Sequence, residues 1–325
     1  MANLYKKYFM KQKMMRTVII ATLPLIFMGI YSYGWRSLAL LLFNICVGSI
    51  VEYLTETRIY KRKKISEAAI VTAILYTLTL PPSLPLWISA IGIAFSIFFG
   101  KAVYGGFGRN IFNPALVGRA FIYINFPQPL TIHWNSVANA DRLINGIGGF
   151  GQWLTPAIDG TTSATPMMAF REAGTIFDQI GLALGQVPGT IGETVKVLII
   201  LAAIYLIVKK VVSWQIMAAQ LVGFVGASLI FKAMGVDTVP DPLVGILMGG
   251  FLFGAVFMAT DPISAPKTTP AKWIYGILIG IIVVVIRGFA LFSGGMMFAI
   301  LIGNVFVPIM DYVVNRSKKK PVKAV

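Results

Sequence analysis

The run Asp159-Gly160-Thr161-Thr162-Ser163-Ala164-Thr165-Pro166 brings one carboxylate and four hydroxyls together among small residues. Asp, Gly, Ser and Thr favour turns because their short side chains bond nearby backbone groups, so a polar turn is the ordinary reading. A small, hydroxyl-rich turn is also a poor packing element and a good place to attach or hold something. Thr161, Thr162, Ser163 and Thr165 each offer an oxygen nucleophile, and residue type alone leaves the choice among them open.

A second kind of chemistry comes from charge inside apolar sequence. Glu52 lies well within an apolar run, Arg119 lies within another, and Asp261 ends a third beside Pro262. Charged groups at membrane depth are costly and have a partner or a task. Pairing with one another, or with freed backbone groups, is the structural reading; a role in ion passage for Glu52 and Asp261 is the functional one. Metal chemistry is not expected. The chain has one cysteine, Cys46, and one histidine, His133, too few for an iron–sulfur cluster or a zinc site. Cys46 reads as a small buried hydrophobe and His133 as a solvated loop residue. No catalytic acid–base pair or nucleophilic triad is evident. Gly105-Gly106-Phe107-Gly108 is not a Walker pattern, and Asn113-Pro114 reads as a helix cap followed by proline in the first turn.

The elements that must position these groups are apolar. Of 325 residues 57% are hydrophobic and 12% charged, and the mean hydropathy is +0.79, which indicates an integral membrane protein. Ten runs are expected to span: 17–34, 37–54, 66–81, 84–100, 113–126, 192–209, 214–233, 242–260, 272–289 and 294–314. The first follows Lys6, Lys7, Lys11, Lys13 and Arg16 and reads as a retained helix, not a removed signal peptide. With the N-terminus inside, three-quarters of the 28 basic residues fall in inner segments, among them Lys61 to Lys64, Lys101, Lys209, Lys267 and Lys318 to Lys320. Arg36, Arg142, Arg171, Lys196, Lys232 and Arg287 fall outside. The positive-inside rule therefore puts both termini in the cytoplasm of a cell (inner) membrane. The net charge of +16 is explained by this topology, and no basic face with interleaved aromatics points to nucleic acid. Trp35, Trp87, Trp153, Trp214 and Trp273 fall near expected interfaces.

The expected organisation is a first five-helix half (1–126), an extracytoplasmic loop carrying the hydroxyl-rich run (127–191), a second five-helix half (192–314) and a basic cytoplasmic tail (315–325). Each half has a Pro-containing hinge before a Trp-containing span, then a Gly-rich turn and an Asn, Asn113 or Asn304. Five spans per half force opposite orientations, an inverted repeat of the kind that frames a midplane site between broken helices.

Several motifs carry a family likeness. Asp159-x-x-Thr162-x-Ala164-Thr165 resembles the flavinylation motif of the membrane flavoproteins in the Rnf and sodium-pumping NADH:quinone oxidoreductase complexes, with Ser163 where the usual pattern has Gly. Further matches are Thr79-Leu80-Pro81-Pro82-Ser83-Leu84-Pro85-Leu86-Trp87, the stretch from Gly100 to Phe121 with Asn110 and Asn113, Phe257 to Pro262, and Ile274-Tyr275-Gly276. Together they resemble the D subunit of Rnf and its homologue, the B subunit of the sodium-pumping quinone reductase; chain length favours the former.

The resemblance implies FMN joined by a phosphodiester to Thr165 by a flavin transferase, with Asp159, Thr162, Ser163 and Ala164 presenting the site. It also implies a noncovalent riboflavin near Asn110 and Asn113 toward the inner side. The implied assembly is a ferredoxin:NAD oxidoreductase that drives sodium ions or protons outward. Its other subunits would include a periplasmic-facing FMN protein and iron–sulfur proteins. Two competing readings are the homologous quinone-reductase protein, and a channel or secondary transporter without a redox cofactor.

Overall fold

A computed structural model describes residues 9–62, 64–131, 137, 149–151, 153, 166–175, 177–290 and 295–318. The hydroxyl-rich run from Asp159 to Thr165, with Thr162, Ser163 and Ala164, lies outside the described residues, as does His133.

In chain order the helices are α1 (Lys13–Tyr33), α2 (Trp35–Arg58), α3 (Glu67–Leu78), α4 (Leu86–Gly100, prolonged by a 3-10 turn at Ala102–Tyr104), α5 (Pro114–Asn125) and α6 (Pro127–Thr131). They continue as α7 (Pro166–Ala173), α8 (Gln179–Leu184), α9 (Lys196–Val208), α10 (Trp214–Ala233), α11 (Pro242–Leu247), α12 (Phe251–Phe253), α13 (Thr269–Phe289) and α14 (Gly295–Lys318). Two-residue strands, Phe9–Met10 and Ile65–Ser66, pair in parallel. Among the described residues six helices are long and apolar enough to cross a membrane: α1, α2, α4 with its extension, α10, α13 and α14.

The other four expected spans are short or broken. α3 and α5 have 12 residues each and α9 has 13. At 1.5 Å per residue these rise only about 18–20 Å, against about 30 Å of hydrocarbon. Pro81, Pro82 and Pro85 end α3, while Asn113-Pro114 starts α5 and Phe126-Pro127 ends it. The 242–260 run breaks after α11: Met248 is extended, Gly249 takes a left-handed φ of 59°, and a π-helical turn at Gly254–Met258 follows α12.

Broken helices free carbonyls that lipid cannot satisfy, and two arginines do so instead. Arg36 donates to the carbonyls of Pro82, Ser83 and Leu84 at 3.1–3.3 Å. Arg287 donates to those of Gly245 at 2.6 Å and Met248 at 3.1 Å. Both were expected outside, and so was Lys196; all three are buried, at 8%, 3% and 4% exposure. The topological count treats them as surface charge, whereas backbone demand draws the two arginines inward. Lys101, expected in an inner segment, is likewise buried.

Close helix approach rests on small residues. A Cβ on Gly223 of α10 would lie 2.4 Å from the Ile277 carbonyl of α13, and one on Gly118 of α5 would lie 2.3 Å from the Gly92 carbonyl of α4. A buried polar relay ties α2, α3 and α4 together: Asn44 donates to Thr77 at 2.9 Å and accepts from Ser89 at 2.8 Å. The amides of Ile191 and Gly192, just before α9, donate to the carbonyls of Leu80 and Leu78, so the two halves are stitched at the end of α3. Cys46 corrects its expectation. It is exposed, because the buried face of α2 runs through Leu41, Asn44, Gly48 and Glu52.

Candidate functional site: two cavities at the junction of the halves

The short helices leave two cavities between the halves. The first, about 660 Å³, lies at the end where α1 and α5 begin and α9 finishes. Its walls are mostly apolar (Val18, Val71, Leu75, Phe107, Phe257), with Thr72, Lys101, Asn110, Asn113, Thr260 and Asp261 as polar groups. Asn113 is the N-cap of α5. Its side-chain oxygen accepts from the Leu116 amide at 3.4 Å, and its amide donates to the Met258 carbonyl at 3.2 Å. Its backbone N–H donates to Asn304 Oδ1 at 3.2 Å, while Asn304 donates to Tyr275 Oη at 2.9 Å and the Ser264 carbonyl at 3.2 Å. Asn113 and Asn304 thus meet. Asn110 donates to the Phe112 carbonyl at 3.0 Å, which keeps its side-chain oxygen for another partner.

Glu52 stands behind this cavity. It forms a 2.7 Å ion pair with Lys101 Nζ and accepts from Ser66 Oγ at 2.6 Å and Ser66 N at 3.0 Å; Lys101 also donates to Ser66 Oγ at 2.5 Å. A buried carboxylate so enclosed is neutralised locally. Asp261 instead accepts from Ser264 Oγ at 2.8 Å and Ser264 N at 3.2 Å.

The second cavity, about 680 Å³, lies at the opposite end, where α3 and α13 finish and α14 begins. Thr79, Arg119, Tyr123, Thr190, Glu193 and Arg287 supply its polar groups, and Met258, Met296 and Met297 much of its apolar wall. Arg119 Nη1 approaches Glu193 Oε1 at 3.9 Å. Pro166 and Met167, which follow Thr165 in the chain, reach this region. Met167 lines the second cavity, and Pro166 lines an adjoining one of about 350 Å³ with Glu193 and Lys196. The wall between the two large cavities is thin, since Pro114 and Phe257 face one while Leu116 and Met258 face the other.

The expected site residues therefore fall into three sets. Asn110, Asn113 and Asp261 share the first cavity; Glu52 is one residue removed, behind Lys101. Thr165 and its motif lie outside the described residues. Of the two structural readings, pairing with one another or with freed backbone groups, the first does not hold among the described residues, and the second holds for Asp261, which accepts from the Ser264 amide. Glu52 pairs with Lys101, Arg119 with Glu193, and Asp261 bonds Ser264. Lys101, Glu193 and Arg287 were missed as site residues. The available signal was their place beside a helix end, which the loop count assigned to solvent.

Residues 5–320 match the NQR2, RnfD, RnfE family. The chain belongs to that family. With six apolar helices long enough to cross, it is a multi-pass membrane protein. Among curated relatives it is similar to the B subunit of the Na(+)-translocating NADH-quinone reductase of Azotobacter vinelandii, 39% identical over 272 residues, or 80% of this chain and 62% of that one. The corresponding protein of Yersinia pestis is 37% identical over 275 residues, 82% and 63% of the two chains. That of Neisseria meningitidis serogroup B is 36% identical over 283 residues, 86% and 66%. The chain spans 62–66% of the length of these relatives.

The lining of the first cavity suits a flavin ring in kind: its apolar side chains match an aromatic face, and the two asparagine amides match an edge that alternates donors and acceptors. In the second cavity, cationic donors stand beside flexible methionines, a lining open to an anionic or polarisable group.

Proposed function

We propose that this chain is the membrane flavoprotein of a multi-subunit, redox-driven ion translocase, equivalent to the B subunit of the Na(+)-translocating NADH-quinone reductase. The observation that carries the reading is the end-to-end pair of cavities in a chain similar along 80–86% of its length to such proteins. In this reading the chain makes ten crossings as two inverted five-helix halves, with both termini cytoplasmic. FMN is attached to Thr165 by a flavin transferase, and riboflavin is held noncovalently in the first cavity. Bound flavins supply one- and two-electron transfer.

The protein's part is position and field. Asn110 and Asn113 orient the ring in the first cavity by hydrogen bonds to its edge, and Phe107 and Phe257 close its faces. Leu116 and Met258 keep water out of the wall between the cavities. Glu52 and Asp261 are the acids assigned to the ion path, with Lys101 holding the charge of Glu52 in balance. Nucleotide and iron–sulfur sites belong to other subunits, in keeping with the single cysteine.

In-gel ultraviolet fluorescence of the denatured chain, co-produced with its flavin transferase, tests the covalent flavin. Mass spectrometry of the peptide from Asp159 to Arg171 then assigns it. Thr165→Val abolishes the adduct; persistence moves the attachment to Thr161, Thr162 or Ser163, and absence from the wild type removes the redox reading in favour of a channel or carrier. The finer alternative, the D subunit of an Rnf-type complex, predicts co-purification with a ferredoxin-linked iron–sulfur protein.

A further inference from the structure

Charge does not balance around the second cavity. Arg119 and Arg287 line it with Glu193, and Lys196 reaches the backbone carbonyl of that same Glu193 from the adjoining cavity. Three cations therefore face one acid among the described residues. A buried charge without a partner is strongly unfavourable, so each cation must have a use. Arg287 has one: its two terminal nitrogens satisfy the carbonyls where α11 ends. Lys196 sits on the Glu193 carbonyl.

Arg119 is different. Its contact with Glu193 is long, at 3.9 Å; its Nε is shielded from solvent with no hydrogen bond, as is that of Arg287, so the difference lies in the terminal nitrogens. A guanidinium has five N–H donors in a rigid fork. Here the fork lies at a cavity whose apolar wall is mainly methionine, leucine and phenylalanine, with Thr79, Tyr123, Thr190, Glu193 and Arg287 as its other polar groups, and its side chain is 14% exposed. Where Arg287 directs its terminal donors to backbone carbonyls, Arg119 has only the long ion pair with Glu193 among the described residues.

We propose that Arg119 is the charge-accepting group of the second cavity: it stabilises the extra negative charge of a planar redox ligand held there and so raises that ligand's reduction potential, while Glu193 opposes it. The proposal rests on the reading of a flavin tethered at Thr165. The step is a one-electron reduction by an external donor. No bond forms or breaks; the electron enters the ring, and the charge it adds faces the Arg119 guanidinium. Removing the cation makes that electron harder to accept, and removing the Glu193 charge makes it easier. Loss of packing alone has no reason to move the two variants in opposite directions.

The test uses the full chain co-produced with a flavin transferase and purified in detergent, with the covalent adduct counted by peptide mass. The potential of the attached flavin is read by spectroelectrochemical titration with dithionite and one-electron mediators. Arg119→Gln shifts the one-electron reduction equilibrium at least tenfold toward the oxidised form, about 59 mV. Arg119→Lys retains most of the wild-type value, and Glu193→Gln shifts it the other way. Full adduct in every variant with Arg119→Gln less than tenfold from wild type overturns the proposal, as do shifts of the same sign in Arg119→Gln and Glu193→Gln. Loss of the adduct in Arg119→Gln alone, with helical circular dichroism unchanged, gives Arg119 a role in attachment and overturns it too. A wild-type chain with no adduct overturns the proposal together with the reading beneath it.

Discussion

The two large cavities are nearly equal in volume, about 660 and 680 Å³, yet their polar groups are in different states. Around the first, the one cation is paired: Lys101 and Glu52 neutralise each other within a shared set of bonds to Ser66. Besides Lys101 and the Asp261 carboxyl, what faces the space is neutral amide and hydroxyl, from Asn110, Asn113, Thr72 and Thr260. Around the second, cations outnumber acids. In the proposed reading, an amide-lined space holds a neutral ring by its edge, whereas one with surplus cations favours a ring that gains charge. Pocket size carries none of this distinction; the partners of each buried ion carry all of it.

The largest way to break the comparison is to unbalance the first cavity. Lys101→Met strands a buried carboxylate and is expected to cost about 3–5 kcal/mol, read as a fall in the unfolding midpoint in detergent. The double variant Lys101→Met/Glu52→Gln recovers most of the loss; equal loss in single and double variants would mean that packing, not charge, explains it. Next comes a contrast within the second cavity. Arg287→Met leaves the carbonyls of Gly245 and Met248 without donors and is expected to destabilise by about 1–3 kcal/mol, while Arg119→Gln stays within about 1 kcal/mol. Similar losses would erase the division between a structural and a ligand-facing arginine.

Asn113→Ala removes the α5 cap and is expected to cost about 1 kcal/mol. In the proposed reading it also weakens retention of noncovalent flavin about tenfold through purification, with the covalent adduct unaffected. Extractable flavin per mole of protein checks this.

The long apolar spans were legible in the sequence because hydropathy and helical length decide them. α10 begins and ends at the expected residues 214 and 233. The short helices were legible as apolar runs but not as short, because their ends are set by prolines and glycines whose consequence appears only once neighbouring chains supply the missing backbone bonds. Asn110, Asn113 and Asp261 were marked by motif, and the fold brings them to one cavity. Lys101 and Arg287 were not marked. Both sit at the edge of an apolar run, where sequence reads a basic residue as a topological signal, and only the partner decides otherwise: Glu52 in one case, two carbonyls in the other. Cys46 failed for a related reason, since a helix in lipid has no polar outer face to reveal which side is in.

That outward cysteine is the only thiol in the chain. A nitroxide or fluorophore coupled there needs no background mutations and reports from one known point on α2, six residues before Glu52. Dipolar spectroscopy between such a tag and the one-electron-reduced semiquinone of the proposed flavin would turn the native sequence into its own molecular ruler.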